Sequence, residues 1–277
     1  MKRLAVLGHP VAHSRSPSMQ TAALEALGLA EEWSYEAIEM PPADFTELTR
    51  ALPAEGFVGA NVTIPHKEAA LAIAGDASAA ANEIGAANTL SFADGEIRAD
   101  NTDAPGLLAA LPEPPAGKRA LVLGAGGSAR AAVWALAGQG AQVEIWNRTA
   151  DRAEELAASL EHHLGEPAAI AAIGREAALA GEYALIVNCT AVGMPGTAGS
   201  VFEHLPLEAS GLGAGVTVVD LVYAGDETEL LAAARAAGSR VVDGVEVLVR
   251  QGAGSLRIWT GLDPPLEVMR EAARAGG

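Results

Sequence analysis

Lys67 stands just past the proline of NVTIPHK, at the end of an apolar run that begins near Gly59. Alternation along the strand puts Asn61 and Thr63 on one face and Val62 and Ile64 on the other, with Lys67 beyond the strand's end. A cation there opens a helix whose dipole favours negative charge, a poor place for a purely structural lysine and a fit one for a group that exchanges a proton with a ligand. A solvated surface lysine is the plainer alternative. Ser14 and Ser16 of HSRSP lie at the mouth of another helix, where Ser16 suits an N-cap and Ser14 is left over from capping. Together the two hydroxyls make a neutral cradle for a carboxylate. Asn88 of AANT, Asp103 of DNTD and Gln251 near the apolar side of its helix complete the polar candidates. Each taken alone also fits a structural role, Asp103 as a helix cap before Ala104 and Pro105.

A second constellation is local. Gly124, Ala125, Gly126, Gly127, Ser128 and Ala129 spell G-x-G-x-x-A between the apolar run ALVL and a helical stretch. Gly124 permits a tight turn, Gly126 lets backbone approach a pyrophosphate, and Ala129 allows close helix–strand packing. The helix N-terminus then offers its amides to phosphate. At the tip of the next strand, where an NAD site usually carries an acidic residue, stand Asn147, Arg148 and Thr149, with Arg152 one turn later. Guanidinium groups with a hydroxyl and an amide would hold a 2′-phosphate by charge-assisted hydrogen bonds, so the cofactor read from these residues is NADP. Thr149 also suits an N-cap.

Two α/β segments position these groups. Strand and helix patterns alternate through the first hundred residues and end in a hairpin formed by AANTLSF and GEIRAD. The proline-rich PEPPAGK, residues 112–118, reads as a connection between domains. Beyond it, strands RALVLG, AQVEIWN, YALIVNCT, VTVVDLVY and SRVVDG are spaced by helices, with a short strand near AAIAAI; this implies right-handed crossovers and a parallel sheet. VEVLVRQGAGSLRIWTG and PPLEVMREAARA read as two closing helices.

Composition narrows the class. The 277 residues are 50% hydrophobic but only 4% aromatic, which points to helices packed through small side chains. Eighteen Lys and Arg against 35 Asp and Glu give a net charge of −17, which repels nucleic acid and anionic membrane. Any anionic substrate must therefore be captured by local groups. The single cysteine, Cys189, reads as a buried strand thiol in a reducing compartment. No signal peptide, membrane span or metal-ligand set is visible, so the reading is a soluble cytoplasmic protein, a monomer or homodimer, acting on a small molecule.

GHPVAHSRSP, NVTIPHK, IGAANT, NTDAPG, GAGGSAR, NRT, DLVY, DG and RQGAGSLRIWTG together resemble the shikimate dehydrogenase family, from Gly8 to the final helices. The resemblance implies NADPH-dependent reduction of 3-dehydroshikimate to shikimate, with a substrate domain over residues 1–104 completed by helices 250–277. A Rossmann-type NADP domain would span 105–249, with a cleft between the two. It further implies that Ser14 and Ser16 hold the substrate carboxylate with Tyr223 facing it. Asn61, Thr63, Asn88, Asp103 and Gln251 would hold ring hydroxyls, and Lys67 paired with Asp103 would be the acid/base group. Thr190, Leu221 and Gly244 would line the cofactor site, the last two near the nicotinamide. The chain departs from the family pattern at Gln20 and Thr21, where a His-Asn pair is usual, and at Gly225, where proline is common.

Overall fold

The computed structural model describes residues 1–164, 169–194, 196–223 and 227–276; Gly225 lies outside them. The chain divides into two compact units, Met1–Gly106 with Leu248–Gly277, and Leu107–Val247.

The first unit contains β1 (Lys2–Gly8), α1 (Ser16–Ala26), β2 (Trp33–Glu39), α2 (Phe45–Ala51), β3 (Phe57–Val62), α3 (Lys67–Ala72), β4 (Asp76–Ala77), α4 (Ala79–Ile84), β5 (Thr89–Ala93), β6 (Glu96–Asp100) and the start of α5 (Asp103–Ala110). Its sheet runs β2-β1-β3-β5-β6-β4. β1 pairs in parallel with β2 and β3, while β5 pairs antiparallel with both β3 and β6. The β5–β6 hairpin turns through Asp94 and Gly95, both at positive φ, the combination that an Asp-Gly turn supplies with least strain. Alanines take a large share of its core: Ala5, Ala60, Ala70, Ala87 and Ala99 are buried with Leu7, Phe45, Phe57 and Leu90.

The second unit continues with β7 (Arg119–Leu123), α6 (Gly127–Gly138), β8 (Gln142–Trp146), α7 (Ala150–Leu164), β9 (Ile170–Ala172), α8 (Arg175–Ala180), β10 (Leu185–Asn188), α9 (Val201–His204), β11 (Thr217–Asp220), α10 (Glu229–Ala236), β12 (Arg240–Val242) and the start of α11 (Gly244–Thr260). Helix α12 (Leu266–Ala275) belongs to the first unit. Among the described residues the second sheet runs β12-β11-β10-β7-β8-β9 and every pairing is parallel, the order of a doubly wound nucleotide-binding sheet. Its strands are apolar runs because both faces are covered.

Several expectations shift. The chain crosses from one unit to the other inside α5, and the proline-rich 112–118 stretch lies within the second unit, where Lys118 bonds Glu113 at 3.0 Å. Strand β11 ends at Asp220, so Leu221, Val222 and Tyr223 lie past it. Cys189 is likewise one residue beyond β10 and only partly buried. Asp243 accepts from the Glu246 N–H at 2.8 Å and so caps α11 ahead of its expected start.

Candidate active site and cofactor cradle

Helix α3 begins at Lys67 itself, and the Lys67 Nζ donates to Asp103 Oδ2 at 2.6 Å. The two side chains are 11% and 16% exposed, enough to meet a ligand while most of their surroundings are protein. Asp103 is free of capping duty. The Asn101 side chain accepts from the Asp103 and Ala104 N–H groups at 3.1 and 3.2 Å, while its own amide donates to Ala86. Asn101 thus orients the helix start and leaves both Asp103 oxygens to other groups.

The second oxygen is taken by Asn88. Its Nδ2 donates at 2.9 Å to Asp103 Oδ1, 2.9 Å to Thr102 Oγ1 and 3.0 Å to Gln251 Oε1. Its carbonyl accepts from the Thr102 N–H and from the Thr89 and Thr102 hydroxyls. Two amide hydrogens therefore serve three acceptors, and the geometry is fixed by competition. Gln251 donates in turn to Leu248 O at 2.7 Å. Gly106 permits the approach of α5 and α11, since a Cβ there would lie 2.8 Å from the Gln251 nitrogen.

Beneath this layer, Asn61 donates to Ser255 Oγ at 2.8 Å and accepts from Tyr35 at 2.8 Å. Ser255 is wholly buried and also meets Thr89 and Thr102 at 2.8 and 3.1 Å. Tyr35, Thr89, Asn101, Thr102 and Ser255 are the members that sequence reasoning missed. The doubled Asn-Thr pairs at 88–89 and 101–102, and the four-residue spacing of Gln251 and Ser255, were the available signals. His66 is buried beside Lys67, stacked on Phe45 and donating through Nε2 to Met40 O. Burial holds its imidazole below the ordinary histidine range, against the opposing Met40 bond.

The serines are arranged differently from the expectation. Ser16 is the first residue of α1, buried and without a capping role, whereas Ser14 Oγ accepts from the Ser16 N–H at 3.3 Å. The helix entry is a turn closed by Ser14, so that hydroxyl takes the capping duty assigned to its neighbour. Thr63 lies just after β3, half-buried, with its N–H on Leu7 O. Lys67, Asp103, Asn88, Gln251 and Asn61 are joined by direct or shared hydrogen bonds. Ser14, Ser16 and Thr63 sit on the same unit. Gln20 is buried and donates to Gly252 O at 3.0 Å, so this departure is accommodated by the α1–α11 contact; Thr21 is exposed.

In the second unit, Gly124 takes φ +111° against Cys189 and Thr190, a conformation that glycine alone adopts cheaply. Gly126 is extended, and a Cβ there would meet nothing within 4 Å. Gly127 opens α6, Ala125 is buried and Ser128 half-buried. Past β8, Asn147 donates to Thr149 O at 2.8 Å, and Arg148, Thr149 and Arg152 are exposed. Thr190 donates to Asn188 Oδ1 at 2.7 Å. Leu221 and Tyr223 are half-buried, and Gly244 is buried against the Leu221 carbonyl, 2.7 Å from where a Cβ would stand.

The chain matches known proteins along most of its length. Residues 6–90 match the shikimate dehydrogenase substrate binding domain, 110–204 the shikimate/quinate 5-dehydrogenase family and 244–274 the shikimate 5′-dehydrogenase C-terminal domain. The chain is 47% identical over 273 residues to a shikimate dehydrogenase (NADP(+)) of Methylobacterium radiotolerans, covering 95% of this chain and 92% of the relative. One from Thermus thermophilus is 45% identical, with 99% and 98% covered. Among solved structures, Thermus thermophilus shikimate 5-dehydrogenase in complex with NADP(H) and shikimate superposes with a TM-score of 0.87 at 42% identity over all of both chains. The Listeria monocytogenes shikimate 5-dehydrogenase with shikimate and NAD gives 0.83 at 27% identity, covering 98% of this chain and 96% of that one.

Proposed function

The chain belongs to the shikimate dehydrogenase family, and on that premise we propose that it interconverts 3-dehydroshikimate and shikimate with NADP in the route to aromatic amino acids. The observation that carries the reading is the 2.6 Å Lys67–Asp103 pair, set in a buried amide and hydroxyl network on the unit that matches the substrate domain.

The second unit suits NADP. The empty approach over Gly126 leaves room for a pyrophosphate at the N-terminus of the twelve-residue α6. Arg148 and Arg152 are exposed around Asn147 and Thr149 at the tip of β8, where a 2′-phosphate would sit and where Asn147 follows the strand in place of an acidic residue. Thr190, Leu221 and Gly244 would line the nicotinamide end.

When bound, NADPH supplies the hydride; the protein manages the proton. Negative charge develops on the ketone oxygen as the bond to carbon forms, and the Lys67 ammonium donates its proton there. In the reverse direction the neutral amine accepts the hydroxyl proton. Asp103 keeps Nζ aimed, and Asn88 holds the other Asp103 oxygen so that the carboxylate cannot rotate away. Asn61, Thr63, Asn88 and Gln251 would bind ring hydroxyls. Asn61 Oδ1 and Gln251 Oε1 each accept one protein bond and keep a second lone pair. Ser14, Ser16 and Tyr223 would hold the carboxylate. This suits a protein of charge −17, which must bind an anion with neutral donors.

We place the protein in the cytoplasm as a monomer or homodimer without nucleic-acid or membrane partners. The net charge of −17 opposes nucleic-acid and anionic-membrane binding, and no helix among the described residues is long and apolar enough to cross a membrane. The test crosses shikimate or quinate with NADP or NAD and follows nicotinamide reduction. Shikimate with NADP should give the highest kcat/KM; inactivity with all four pairs, or a preference for NAD, would overturn the assignment.

A further inference from the structure

The cofactor unit contains a buried polar chain that none of the roles above uses. Asn188 and Asp220 are the last residues of the adjacent parallel strands β10 and β11, in register with each other, and both are wholly buried. Asn188 Nδ2 donates to Asp220 Oδ1 at 2.9 Å. The same carboxylate accepts from the Val222 N–H at 3.1 Å and from the Thr228 hydroxyl at 2.7 Å. At its other end Asn188 Oδ1 accepts both the N–H and the hydroxyl of Thr190, whose Oγ1 accepts the Val192 N–H. Thr228 Oγ1 also accepts from the Leu231 N–H, capping α10.

We propose that Asp220 is a positioning residue for the nicotinamide end of the NADP site, holding the segments that carry Thr190 and Leu221 at a fixed offset from one another. The inference rests on the NADP reading above. Its physical ground is that a buried carboxylate is costly and an apolar pair at two strand ends would pack with less penalty. What the ionic group supplies instead is direction. Both oxygens can only accept, and each of their three donors comes from a different segment: the end of β10, the stretch after β11 and the start of α10. The neighbouring turns lean on the same point. Leu221 N–H bonds Asn188 O at 3.0 Å, Gly124 lies against Cys189 and Thr190, and Gly244 faces the Asp220 and Leu221 carbonyls. Burial holds the Asp220 carboxyl above the ordinary aspartate range, and the bonds from Thr228, Val222 and Asn188 offset part of that rise.

Asp220→Ala and Asp220→Asn, each measured in the full-length enzyme, test this with adenosine 2′,5′-bisphosphate as a probe of the adenine end alone. A misplacement on the order of 1 Å at the reacting end costs up to about 100-fold in rate. Asp220→Ala should therefore lower kcat roughly 10- to 100-fold and weaken NADP, while affinity for the bisphosphate stays within about twofold of the parent. Asp220→Asn retains one acceptor oxygen and should fall between Ala and the parent; it decides alone by the same criterion if the alanine variant does not fold. Parallel loss of NADP and bisphosphate binding, or an unchanged kcat, would overturn the proposal. A parent enzyme that neither binds the bisphosphate nor uses NADP would instead refute the cofactor reading.

Discussion

The two units build their sites from different materials. In the first, the groups are side chains bonded to one another across long sequence separations, such as Asn61 to Ser255, 194 residues apart, and Asn88 to Gln251, 163 apart. In the second, the proposed phosphate cradle is backbone, held within one strand–turn–helix passage at Gly124–Gly127, and the cations at the tip of β8 are exposed. A network of buried side chains is intolerant, because removing one member strands its partners without water. A backbone cradle tolerates any change that leaves its surface open. The network of the first unit should therefore answer mutation with losses of turnover and stability together, and an open position of the backbone cradle with loss of cofactor affinity alone.

The sharpest way to break that contrast is Lys67→Ala. Loss of a general acid typically costs about 10²- to 10⁴-fold, and kcat should fall by that much while the KM values for shikimate and NADP move little. Retention of near-normal turnover would remove Lys67 from the chemistry. Next in size, Asn88→Ala leaves the Thr102 N–H, the Thr102 and Thr89 hydroxyls and Gln251 Oε1 short of a partner in a wholly buried layer. Leaving such groups unsatisfied costs about 1–3 kcal/mol, so the urea midpoint should drop and kcat with it. A variant of unchanged midpoint would show that the network relaxes more easily than its geometry implies.

The same contrast explains what could be read before the fold was known. The nucleotide fingerprint, the acid-free tip of β8 and the parallel sheet depend on residues close in sequence, and periodicity with glycine spacing carries that information. Lys67, Asp103, Asn88 and Gln251 were legible as candidates because amides and charges in apolar patterns stand out. Their connections were not legible, since nothing local says that Asn101 rather than Asp103 caps α5, or that Ser14 rather than Ser16 closes the turn into α1. Ser255 and Tyr35 were invisible for the same reason: a serine in a helix and a tyrosine in a strand are ordinary until the third element arrives.

Two glycines test the second unit from within. A Cβ at Gly126 has open space and an ordinary φ, so Gly126→Ala should leave the melting temperature within about 2 °C and raise the NADP KM roughly tenfold or more by crowding the pyrophosphate. Gly124→Ala should instead destabilise by about 1–2 kcal/mol, because φ +111° is costly for any residue with a Cβ. Thermal melts and KM values measured side by side decide it; equal melting temperatures for the two variants would contradict the backbone reading.

The smallest expected effects lie at the tip of β8. Arg148→Ser and Arg152→Ser each remove one exposed guanidinium from the place where a 2′-phosphate would rest. Exposed charges are screened by solvent and salt, so each variant should raise the NADP KM only about three- to tenfold at low ionic strength, and less as salt is added. KM for NAD, which lacks that phosphate, should not change, and the melting temperature should move little, because both side chains are exposed. The ratio of NADP to NAD efficiency is thus the measurement that isolates this tip. A fall in both efficiencies together would mean that the arginines shape the adenine end as a whole, and the cofactor unit would then resemble the substrate unit in depending on side-chain contacts.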